Sequence, residues 1–234
     1  MRDLNKRKYL FAFIITSAIF FLGFFFGFLM DLKRVDYFQT VNEVQKINIR
    51  SLQLQNELLK NGASTNQCGA FRFMFDRTLI ELENTRGRLE LYNQQSKINK
   101  EEFDLIKREY TLSQINFWYI SKSLKESCTN ASDFVTVIYF FSDKKKCPEC
   151  ENQATVLDYY KSILQENLLI FSIDEEFESQ EPIITLLKYS YNINEYPTLI
   201  INNKVYNTTV SKEEMKDILC SQYKTNVTRS IICN

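Results

Sequence analysis

Three observations predict the fold class: a C-terminal α/β domain of order β-α-β-α-β-β-α, preceded by a transmembrane helix and an α-helical coiled-coil hairpin. Residues 9–30 carry no charge. Residues 36–127 repeat apolar side chains at alternate steps of three and four. From residue 131 onward, short β-branched and aromatic runs alternate with helical periods. The predicted organisation is a cytoplasmic N-terminus (1–8), an anchor (9–30), a helical stalk (31–128), an α/β domain (131–222) and a tail (223–234).

Composition excludes several chemistries. Among 234 residues, 29 Lys and Arg balance 29 Asp and Glu, which leaves no basic field for nucleic acid. The chain has no histidine, which removes Ser-His and Cys-His catalysis and every His-ligated metal site. All five glycines lie at or before Gly87, so the C-terminal half holds no glycine-rich phosphate loop. Six cysteines remain to carry chemistry. No cofactor is expected.

The uncharged run 9–30 would rise ~33 Å as a helix at ~1.5 Å per residue, enough to cross a bilayer. It is too long for the apolar core of a cleavable signal. Arg2, Lys6, Arg7 and Lys8 precede it, against Lys33 and Arg34 beyond, so the N-terminus is expected in the cytoplasm and the rest outside. An even set of cysteines agrees with an oxidising space. Sequons at Asn130, Asn207 and Asn226 point the same way more weakly. Gly23 and Gly27 have the spacing of a packing motif between spans, or are simply small residues in a Phe-rich helix.

Three helical segments follow. Tyr37 to Leu58 and Phe71 to Tyr92 carry seams interrupted by polar residues. The third seam, Phe103, Ile106, Tyr110, Ser113, Phe117, Ile120 and Leu124, is the most regular. Residues 61–66 and 93–97 read as breaks, which makes the last two segments an antiparallel hairpin. Cys68 and Cys128 lie symmetrically about the second break. A Cys68–Cys128 disulfide closing the base of the hairpin is predicted, with two free buried thiols as the alternative. The heptads also make a homo-oligomer an expected partner state.

In the C-terminal domain, Val135–Phe141 and Leu168–Ile173 are apolar strand runs, and Thr198–Ile201 with Lys204–Tyr206 flank an Asn-Asn turn. Helical periods follow Cys150 and Pro182. Ser211 and Glu214 form a capping box for a final helix. Cys147-Pro148-Glu149-Cys150 stands at the first strand–helix junction. There the helix N-terminus stabilises a Cys147 thiolate. Lys146 and its neighbours Lys144 and Lys145 add positive potential or form a solvated loop; Glu149 opposes them. Cys147 is the candidate attacking sulfur and Cys150 the resolving one. Cys220 and Cys233 are expected to pair as a structural disulfide, or else to be free thiols. Zinc prefers four ligands, and with one CxxC and no histidine no metal site is expected.

The CPEC motif between strand and helix, together with Tyr196-Pro197-Thr198 before the hairpin strand, resembles the thioredoxin family over residues 131–222. The resemblance implies a thioredoxin-like fold and a cis Pro197 packed against the CxxC. It also implies that Tyr196, Pro197 and Thr198 lie beside a substrate peptide. Two departures stand out: Lys146 replaces the usual aromatic residue, and Phe141 occupies the place of a buried acid. Proton transfer at Cys150 then falls to water or to an acid such as Asp174. The implied activity is that of a membrane-anchored thiol–disulfide oxidoreductase. Its partners would be protein thiols and disulfides, together with a redox partner. The alternative is a non-catalytic binding or scaffold protein with a static Cys147–Cys150 bond.

Overall fold

Strand β1, Val135–Phe141, is made of β-branched and aromatic residues, and its alternate side chains enter two separate cores. Val135, Val137 and Tyr139 join one core, Ile138 and Phe140 the other. The computed structural model describes residue 10 and residues 13–25, 66–94, 100–128, 133–224 and 226–233. It contains one four-stranded mixed sheet of order β2-β1-β3-β4. β2 (Leu168–Asp174) runs parallel to β1, and Phe141 pairs with Asp174. β3 (Thr198–Ile201) is antiparallel to β1, and β4 (Lys204–Tyr206) to β3. Asn202, at φ 53°, makes the turn between them, a conformation that asparagine tolerates well.

Two helical layers cover the sheet. On one side lie α3 (Cys150–Leu164) and α5 (Lys212–Gln222), whose Leu157, Tyr160, Met215 and Leu219 are buried with Leu199 and Ile201. The short helix α6 (Asn226–Ile232) adds Ile232 to this core. On the other side, α4 (Pro182–Tyr191) contributes Ile184 and Leu187. Its neighbour there is α2 (Lys100–Ser127), which contributes Ile115, Phe117 and Trp118. α2 is the second arm of a hairpin with α1 (Gln67–Asn93). The hairpin is joined by a buried Thr85–Ser113 hydroxyl pair at 2.8 Å and by an Arg88–Glu109 ion pair. α2 also covers the sheet edge. The Gln114 amide accepts from the Ser172 N–H at 2.8 Å and donates to its carbonyl at 3.2 Å. That closes part of the open edge of β2 to other strands.

These observations correct the predicted fold class. The thioredoxin-like α/β chain behind a transmembrane helix gives way to a mostly helical protein with a small mixed sheet. The hairpin helices have 27 and 28 residues, whereas among the described residues no strand exceeds 7. The membrane and single-pass expectations are corrected too. Among the described residues no helix is long and apolar enough to cross a membrane. Within 9–30 the continuous helix described is 13–25.

The chain divides into two units, Met1–Ala63 and Ser64–Asn234. The second unit holds both the hairpin and the sheet, and the second arm of the hairpin forms part of the sheet's core. Its seam is buried within the chain. The heptad segment 37–58, Gly27, the charged flanks of 9–30 and the sequon at Asn130 lie outside the described residues.

Candidate functional site

The site begins where β1 ends. Asp143 bends the loop: its carboxylate accepts from the N–H groups of Lys145 (2.7 Å) and Lys146 (3.1 Å). Its carbonyl accepts from Cys147 N–H at 2.8 Å. The chain then turns into α3, with Cys150 N–H donating to the Cys147 carbonyl at 3.3 Å. Cys147 and Cys150 are joined as a disulfide with Cα atoms 5.4 Å apart. Both are buried, 2% and 6% exposed. They lie at the positive end of the α3 dipole, which favours a thiolate once the bond opens.

A groove of about 400 Å³ runs beside the pair, floored by Tyr139 and Phe141 and edged by Ser142, Glu151, Asp158 and Ser172. The Tyr139 and Phe141 rings stack at 5.4 Å. The Tyr139 hydroxyl donates to the Cys150 carbonyl at 2.6 Å, and burial pushes its pKa up to about 12. The hydroxyl is thus a fixed donor that holds the start of α3 to the strand beneath.

The other expected site residues are distributed as follows. Lys146 turns to Glu175, its ammonium 2.7 Å from Oε1, and Ser142 donates to the same oxygen at 2.8 Å. Burial works to raise the Glu175 pKa. The Lys146 and Ser142 hydrogen bonds, with Tyr196 nearby, outweigh it and hold the carboxyl below its usual range. Lys144 reaches Glu151 at 3.3 Å. Lys144 and Lys146 are therefore each matched by a carboxylate. Pro148 and Glu149 are exposed, and Glu149 accepts from the Asn152 amide at 2.9 Å.

The Tyr196–Pro197 peptide is cis. Tyr196 is half-buried and packs against the core that contains both cysteines. Its hydroxyl is buried near Lys188 and Glu175. Thr198 is fully buried, and its hydroxyl donates to the Glu195 carbonyl at 2.7 Å. Its side chain therefore ties the turn that leads into β3. Asp174, the suggested proton carrier, is engaged by Lys107 at 2.7 Å and does not line the groove. The acids that do line it are Glu151 and Asp158. Asp158 follows Cys150 and Ala154 in steps of four on one helix face, a signal present in the sequence. Glu175 comes from a distant segment and had no such signal.

The remaining cysteines pair in the structure. Cys68 bonds Cys128 at the base of the hairpin, with Cα atoms 5.2 Å apart. Cys220 bonds Cys233, tying α6 to α5. Among the described residues no cluster of acidic or cysteine ligands is arranged for a metal ion.

No family model matches the chain, and no curated protein matches it. A solved structure titled "Structure of a malarial protein" is similar at TM-score 0.32 and 20% identity, over 39% of this chain and 99% of its own. A likeness at that score bears on neither fold nor function here.

Proposed function

We propose that this protein is a thiol–disulfide oxidoreductase that exchanges disulfides with protein substrates through Cys147 and Cys150. The observation that carries the reading is the Cys147–Cys150 disulfide at a helix N-terminus, lining an open groove. The CPEC and Tyr196-Pro197-Thr198 motifs, which resemble those of the thioredoxin family, support it further. Three disulfides favour an oxidising, extracytoplasmic compartment.

From the oxidised form, a substrate thiolate attacks Cys147 Sγ and the Cys150 thiolate leaves. The substrate is then bonded to Cys147. A second substrate thiolate attacks its own mixed-disulfide sulfur and releases the Cys147 thiolate. The substrate has lost two electrons and two protons, and the pair has gained two electrons. Solvent protonates the pair to the extent that the two thiol pKa values allow. Read backwards, the same steps reduce a substrate disulfide. The helix dipole stabilises the thiolate in either direction.

The near-complete burial of both cysteines favours a second reading, a static bond in a binding protein. Trapping separates the two. The full-length Cys150→Ser variant, with its Cys147 thiol free, is mixed with an oxidised two-chain disulfide protein. The proposal expects a stable mixed disulfide whose mass maps to Cys147 and which disappears in Cys147→Ser. If no adduct forms at Cys147, the exchange reading falls and the static one stands.

A further inference from the structure

We infer that Glu175 is a positioning residue for the Cys147 thiol: its carboxylate fixes the ammonium of Lys146, the residue next to the sulfur in sequence. The inference rests on the proposed exchange function but concerns the thiol itself. Lys146 immediately precedes Cys147, and a free ammonium there would lower the thiol pKa. The structure instead directs it to Glu175 Oε1 at 2.7 Å.

Glu175 is fixed in turn. It lies in the 3₁₀ turn Glu175–Phe177, directly after β2. Its carboxylate side chain is only 12% exposed, and the Lys146 side chain is 61% exposed. The anchored partner is thus the acid, and the movable one is the lysine. Ser142 donates to the same oxygen at 2.8 Å, so the acid stays in place whether or not Lys146 is bound.

The charged groups around this pair come from every neighbouring segment. Asp143 lies in the same loop and Glu176 next to Glu175, and both act on Lys146. Tyr196 approaches from the segment before β3 and Lys188 from α4, the latter paired with Glu178. Acids surround Lys146, and none of these groups replaces Glu175 as its hydrogen-bonded partner. Neutralising Glu175 therefore releases a positive charge beside Cys147.

The test measures the pH profile of Cys147 alkylation in the full chain. A Cys150→Ser background leaves one free thiol there and keeps the other two disulfides. Glu175→Gln, which retains the Ser142 contact, is expected to lower the thiol pKa by about half a unit, a shift typical of one partly screened charge. Below the pKa the alkylation rate then rises about twofold. The gain in thiolate outweighs the lower nucleophilicity of a more acidic thiol. Ser142→Ala, which loosens the acid, should move the profile the same way by less.

In a Lys146→Met background the Glu175→Gln shift should fall to less than half. A profile unmoved by Glu175→Gln overturns the inference, and so does an equal shift with and without Lys146. Because no substrate is present, either result leaves the exchange proposal to its own test.

Discussion

Phe117→Ala tests whether the helical hairpin is part of the sheet's core. Phe117 is 2% exposed, and its ring lies 4.8 Å from that of Phe75 on α1 and 5.8 Å from that of Phe171 on β2. One side chain thus bridges the first arm, the second arm and the sheet. Removing it loses about 2 kcal/mol of apolar burial and two aromatic pairs of about 1 kcal/mol each. The sum of about 4 kcal/mol falls within the usual cost of truncating a buried Phe. It is a large part of a typical domain stability of about 5–15 kcal/mol. The assay is urea unfolding followed by far-UV circular dichroism and by the fluorescence of Trp118, the single tryptophan, buried beside Phe117. With a slope near ~2 kcal/mol/M, the midpoint should fall by about 2 M. Both signals should move together. A loss below about 1 kcal/mol, or a hairpin transition separate from the sheet's, would refute the packing argument.

Three further outcomes follow from the same structure. Replacing both Cys68 and Cys128 by Ser should cost about 4 kcal/mol in the chain-entropy model, because the bond spans 60 positions; the change in urea midpoint reads it. Ser211→Ala removes the cap that accepts from Glu214 N–H, and should cost about 1 kcal/mol by thermal unfolding. Burial raises the Tyr139 pKa to about 12, above its ordinary 10. The unfolded chain therefore loses this proton first. Stability should be full below pH 10 and decline as pH rises toward 12, and Tyr139→Phe should flatten that decline.

What the sequence made legible was local. The apolar runs at 135–141 and 168–173 mark strands because β-branched and aromatic residues cluster there, and Ser211 with Glu214 marks a helix start because its cap is complete within four residues. The seam Phe103 to Leu124 shows which face of α2 meets α1. It does not show the second apolar face, Ile115 and Trp118, which meets the sheet. These residues lie off the heptad, so a helix that serves two partners looked like one arm of a stalk. The run 9–30 reads as a span on hydropathy and length, whereas among the described residues no helix is long and apolar enough to cross a membrane. At the site, the two cysteines and their place before a helix could be read from spacing alone. The fate of Lys146 could not, since it depends on Glu175, a residue brought alongside only by the pairing of β1 with β2. The Tyr196-Pro197-Thr198 motif likewise says nothing of the Glu195 carbonyl that takes the Thr198 hydroxyl.

The proposed exchange function requires the Cys147–Cys150 bond to open and close. Its most direct test is the reduction potential of that pair in the full-length protein, equilibrated in glutathione or dithiothreitol buffers. Alkylation and mass analysis of separated peptides would keep Cys68–Cys128 and Cys220–Cys233 apart from it. An exchanging pair should give a value between about −120 and −270 mV, the range of exchange catalysts. A value below about −300 mV, level with structural disulfides, would contradict it.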